Sequence, residues 1–154
     1  MDDTAASREE AETALLQGGW ASVSTGLRWF RSNAEGERDF LLVSEQLRYP
    51  NLVPMNIAAE TLVLRFGVRG LCEVIGYLIT DDIEFSAQEY LVGTLEDLYL
   101  EEDVPVRDML VSITTDDRYA DLRPDIVYML ESPNMAAGAQ GVLRTSAVRR
   151  RGEK

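Results

Sequence analysis

The chain has 154 residues, of which 45% are apolar, with one cysteine, no histidine and a formal charge of −12. That length suits one domain that buries its own core without a metal or disulfide, and the apolar fraction is too high for disorder throughout. The single cysteine excludes an internal disulfide, and the lack of histidine excludes a Ser-His-Asp set, a Cys-His set and any histidine metal ligand within the chain.

Residues 4–17 read as a first helix with a capping box, Ser7 and Glu10, and a thin apolar face of Ala11, Ala14, Leu15 and Leu16, which leaves its start prone to fraying. Gly18-Gly19 ends it. Residues 20–47 fit two patterns. Trp20, Val23, Leu27 and Phe30 follow a helical face, whereas Ala21, Val23, Leu27 and Trp29 alternate with polar residues as a strand would. Two helices separated by a turn at residues 33–36 are expected, with a hairpin over residues 21–44 as the alternative.

Tyr49-Pro50-Asn51-Leu52-Val53-Pro54 is expected to connect, and Asn56 to cap the next helix, because two prolines in five residues oppose a continuing one. Apolar residues then recur on several faces through Ile79, the pattern of a buried helix, with a break or kink at Gly67. Gly70 and Gly76 are expected to permit close packing, and Cys72 to act as a small core residue. Ser86 and Glu89 predict a second capping box, stapled by Phe85 and Tyr90, leading into Leu91, Leu95 and Leu98. Asp103 is expected to cap a helix with Pro105 in its first turn and an apolar face of Val106, Met109, Leu110 and Ile113. A short last helix begins at Pro124 and stops at Pro133.

The expected fold is therefore mostly α: a compact bundle of about six or seven short helices, or α+β if residues 21–44 pair as a hairpin. Residues 1–133 form the expected acidic helical domain, its interior running from Ile57 to Ile113 with the acids outside. Residues 134–154, rich in Ala, Gly, Ser and Arg, form a flexible basic tail.

Charge is unevenly distributed. Fourteen of the 15 basic residues are arginine and one, Lys154, is lysine. GC-rich coding with ordinary solubility explains that bias, and a surface adapted to high salt is the competing reading. No basic residue lies between Arg69 and Arg107, a window ending in Glu96, Asp97, Glu101, Glu102 and Asp103. Residues 132–154 sum to +4, with Arg144, Arg149, Arg150, Arg151 and Lys154 against Glu153, which leaves −16 on residues 1–131.

Carboxylates are the only abundant reactive groups. Asp81-Asp82-x-Glu84 and Asp116-Asp117 have the chemistry for a hard cation or for acid–base work, but neither has EF-hand spacing, and their places at helix boundaries suit helix capping. The chain lacks a Walker A loop, a G-x-G-x-x-G turn and a G-x-S-x-G elbow.

The leading expectation is a non-enzymatic interaction or assembly component: an adaptor, an accessory protein or a structural protein, including one of a virus particle. No catalytic residue, metal or cofactor is assigned. The expected partner is another protein or a second copy, engaged through Arg144, Arg149, Arg150 and Arg151 and through the acids at Glu96, Asp97 and residues 101–103. Nucleic acid would bind only weakly, through the basic tail. The alternatives are an acidic nucleic-acid mimic that binds a basic protein, and a carboxylate-based metal protein or enzyme. The opening MDDTAASREE resembles no secretory signal, and residues 68–79 are too short and too interrupted to cross a membrane, so the expected location is the cytoplasm or an assembled particle.

Overall fold

A computed structural model describes residues 4–80 and 83–131. They are all-α, with seven α-helices, two 3-10 turns and no strand among the described residues. None of the helices is long and apolar enough to cross a membrane. The helices are α1 (Arg8–Gln17), α2 (Trp20–Asn33), α3 (Gly36–Glu45), α4 (Leu52–Leu78), α5 (Phe85–Glu101), α6 (Val106–Thr114) and α7 (Arg123–Leu130). The chain divides into two compact units, Met1–Thr94 and Leu95–Lys154. The expected tail and its boundary at residue 133 lie outside the described residues.

In the first unit, Ser7 caps α1 as expected, accepting from the Glu10 N–H at 3.2 Å, while the Glu10 carboxylate reaches the Ala6 N–H at 3.1 Å. Gly18 and Gly19 follow with φ of +74° and +79°, a backbone that glycine adopts without strain. Residues 20–47 are two helices and not a hairpin. Val23, Leu27 and Phe30 are buried at i, i+4 and i+7, so the helical period, not the alternating one, defines the inward face.

α4 starts earlier than the prolines suggested. Asn51, not Asn56, caps it, accepting from the Val53 N–H at 2.8 Å. Pro54 falls in the first turn, where a backbone N–H has no intrahelical partner to lose. Asn56 instead lies inside the helix, its amide 3.3 Å from Glu60 Oε2. At Gly67 the helix breaks, with φ +60° and ψ −134°, a conformation nearly reserved for glycine. Beyond the break, Gly70 lies so close to the first half of α4 that a Cβ there would stand 1.8 Å from the Leu62 carbonyl oxygen, whereas one at Gly76 would meet nothing within 4 Å. Close packing therefore explains Gly70 and not Gly76.

Leu27, Phe30, Leu47, Met55, Leu62, Leu71, Ile75 and Leu91 are fully buried in this unit, and each such side chain contributes about 1.5–3 kcal/mol relative to exposure. The interior therefore begins well before Ile57, and Ala11 and Leu15 of the thin first helix belong to it. Cys72 is half-buried, not a core residue, because it falls between the inward positions Leu71 and Val74.

In the second unit, Leu95, Leu98, Val106, Leu110, Ile113 and Ile126 are buried. α5 begins within the first unit, at Phe85, one residue before the expected cap. The Gln88 N–H bonds the Glu84 carbonyl at 2.9 Å, which places Ser86 inside the first turn. Phe85 is 70% exposed and Tyr90 43%, so they form no staple. Asp103 does not cap α6. It takes φ +58° where the chain leaves α5, and the Val104 N–H turns back to the Leu98 carbonyl at 3.0 Å. Aspartate tolerates this left-handed backbone better than most residues but still at a cost. Asp103→Gly is expected to raise stability by about 0.5 kcal/mol, visible as a higher urea midpoint at unchanged slope. A lower midpoint would show that the carboxylate outweighs the backbone strain.

Candidate functional site: an acidic face on α5

Two polar constellations stand out, and they differ in kind. The first is a set of ion pairs that ties α1 to α3 and α3 to α4. Asp39, 1% exposed, accepts from Arg8 Nη1 and Nη2 at 2.6 and 3.0 Å, and also from the Glu35 N–H at 2.9 Å. An acid thus lies inside the first unit, against the expectation that all of them stay outside. Burial pushes the Asp39 carboxyl up, but the Arg8 hydrogen bonds, the Glu35 N–H and the charges of Arg8 and Arg38 together hold it below the usual carboxylate range. Beside it, Arg38 forks onto Glu12, with Nη2 2.8 Å from Oε1, and that hydrogen bond lowers the Glu12 carboxyl. Arg69 forks onto Glu37 at 2.7 and 2.8 Å while its guanidinium stacks 3.8 Å over the Phe40 ring. Every acid in this set has a cation as close partner, the arrangement of a structural clasp.

The second constellation is on α5. Leu91, Thr94, Leu95 and Leu98 form its buried side. The opposite side shows two adjacent stripes: Phe85, Glu89 and Glu96, then Ser86, Tyr90, Asp97 and Glu101. Phe85, Glu89, Tyr90, Asp97 and Glu101 are exposed and Glu96 is half-buried; Glu102 and Asp103, just past the helix, are exposed as well. The five acids expected to meet a partner therefore occupy one helix face and the turn that follows it. Arg144, Arg149, Arg150 and Arg151, expected to act with them, lie outside the described residues. The two exposed aromatics on the same face were missed as surface features, because in the sequence they match a staple.

The carboxylates considered for a cation separate in the same way. Asp116 caps the 3-10 turn Asp117–Leu122, accepting from the Arg118 N–H at 3.0 Å, and the Arg118 guanidinium lies 2.7 Å from its Oδ2. The Arg118 side chain, then its N–H, lower that carboxyl. Asp117 points to solvent, 3.9 Å from Arg123. Asp81 and Asp82 lie outside the described residues. Among the described residues no group of three or more acids and cysteines is placed to hold a metal ion.

Comparison of the chain with protein-family models, with curated proteins and with solved structures finds no match.

Proposed function

We propose that the protein is a non-enzymatic interaction or assembly component, with the outer face of α5 as the docking surface for a basic, partly apolar segment. The observation that carries this reading is the coincidence of Glu89, Glu96, Asp97 and Glu101 with exposed Phe85 and Tyr90 on one helix face, in a window without a single basic residue. Acids steer a cationic partner by long-range attraction, and aromatic side chains supply the contact area that charge alone lacks. The chain carries one such segment itself, the +4 stretch of residues 132–154, so a second copy is the nearest candidate partner. An adaptor that grips another protein's basic segment uses the same chemistry.

Light scattering tests the self-association form. Deleting residues 145–154 and, separately, making Glu89→Lys/Asp97→Lys/Glu101→Lys are each expected to lower the oligomer mass, and added salt should lower it in the intact chain. An unchanged mass in both variants removes that form. The same acidic face also supports a second reading, a mimic of nucleic-acid phosphates, and recovery of a DNA- or RNA-binding protein by the intact chain but not by the triple variant would favour it.

A further inference from the structure

We propose that α1 is an exchangeable helix: its seat on α2 and α3 accepts the α1 of a second copy, which gives a reciprocal dimer independent of the acidic face on α5.

Three observations carry this. First, α1 joins the unit through a narrow apolar face and a polar rim. Only Ala11 and Leu15 of its ten residues are buried, while Arg8 and Glu12 clasp Asp39 and Arg38 of α3, and Ser22 of α2 donates to the Ala14 carbonyl at 2.8 Å. Such a helix leaves its seat only by giving up both the apolar face and the clasp, and the same seat on a second copy restores both. Second, the seat is shaped for this helix. Gly26 of α2 brings the two backbones so close that a Cβ there would stand 2.7 Å from the Ala11 carbonyl oxygen and 3.3 Å from the Ala14 Cβ. Shape and charge together select a helix with alanines at these two positions and Arg8 and Glu12 at its rim, and a second copy presents one by identity. Third, the link between α1 and α2 is only Gly18-Gly19, and its closed form depends on two consecutive positive φ angles. When the pair takes helical angles instead, α1 and α2 become one continuous helix, and α1 is carried away from its own seat and toward that of a neighbour. No new contact has to be invented, because each seat keeps its clasp and only the chain that supplies α1 changes.

The test turns the link against the closed form. Alanine disfavours positive φ and favours helix, so Gly18→Ala/Gly19→Ala in the full chain should shift the population to the exchanged dimer. Measured by light scattering in about 0.5 M salt, where the Debye length falls to a few ångströms and contacts between exposed charges are screened, the expected result is a doubled mass with helical circular dichroism retained. Adding Asp39→Asn to the same chain weakens the seat and should return the mass toward that of the monomer. The proposal is overturned if the double variant stays monomeric, if it is unfolded (the opened chain is a folded species here), or if its dimer is indifferent to Asp39→Asn. Deleting residues 145–154 should leave the exchanged dimer intact, so failure of the α5 reading and failure of this one are told apart.

Discussion

Gly70→Ala is expected to cost more stability than an alanine at any other described glycine. The new Cβ would stand 1.8 Å from the Leu62 carbonyl oxygen and 2.3 Å from its carbonyl carbon, and both are backbone atoms inside a helix. A flexible side chain could swing aside, but this carbonyl cannot, so the second half of α4 must lift from the first and loosen Leu62, Leu71 and Ile75 together. A cost of about 3 kcal/mol follows from overpacking of this kind, which at this chain length lowers the melting temperature by about 6–12 °C. Gly76→Ala is the matched control. Its Cβ meets nothing within 4 Å, and helix propensity alone predicts a gain of about 0.5–1 kcal/mol. Thermal denaturation of the two variants checks both signs. Equal effects would mean that the two halves of α4 are not in contact.

The second large effect belongs to Asp39. Asp39→Asn keeps the shape but leaves the Arg8 guanidinium without its anion and weakens the acceptor for the Glu35 N–H. Arg8 is 41% exposed and regains water, so the cost at neutral pH is about 2 kcal/mol, not the larger figure for a fully buried pair. The pH dependence has a fixed sign. Because the folded carboxyl is held below its unfolded value of about 3.9, its contribution is fully present above that value and disappears as pH falls through the lower, folded one. Glu12, likewise lowered, titrates in the same direction. Urea midpoints of the two proteins should therefore differ at pH 7 and converge as pH falls below the ordinary carboxylate range, with the α1 amides losing hydrogen-exchange protection first. A difference that persists unchanged at low pH would show that Asp39 acts through shape and not through charge.

Local and long-range features differ in how far the sequence reveals them. The Ser7 cap, the Gly18-Gly19 stop, the helical period of Val23, Leu27 and Phe30, and the break at Gly67 all depend on neighbours within a turn or two, and all were legible. The displaced starts of α4 and α5 were not, because Asn51 and Asn56, or Glu84 and Ser86, compete for the same role and the choice falls to tertiary packing. The burial of Asp39 could not be read locally, since beyond the Glu35 N–H four residues earlier its principal partner, Arg8, stands 31 residues away. In the α5 face, the acid content was readable from composition. The joining of those acids with Phe85 and Tyr90 on one side required knowing that α5 begins at Phe85, and the placement of Arg144 and residues 149–151 lies outside the described residues.

A short polar chain in the first unit has a consequence for that face. Arg31 bonds Glu60 at 2.9 Å, Glu60 accepts from the Asn56 amide, and the Asn56 carbonyl receives the hydroxyl of Thr94, a buried residue of α5. Leucines alone would let α5 roll or slide by a fraction of a turn at little cost, because apolar contact is non-directional. The Thr94 hydroxyl also has the Tyr90 carbonyl of its own helix at 3.0 Å, so a roll of the helix would cost the Asn56 carbonyl, not the hydroxyl, its partner. The first part of α5, which carries Phe85, Glu89 and Tyr90, is thus keyed to α4 by one directional contact from a threonine on its inner side.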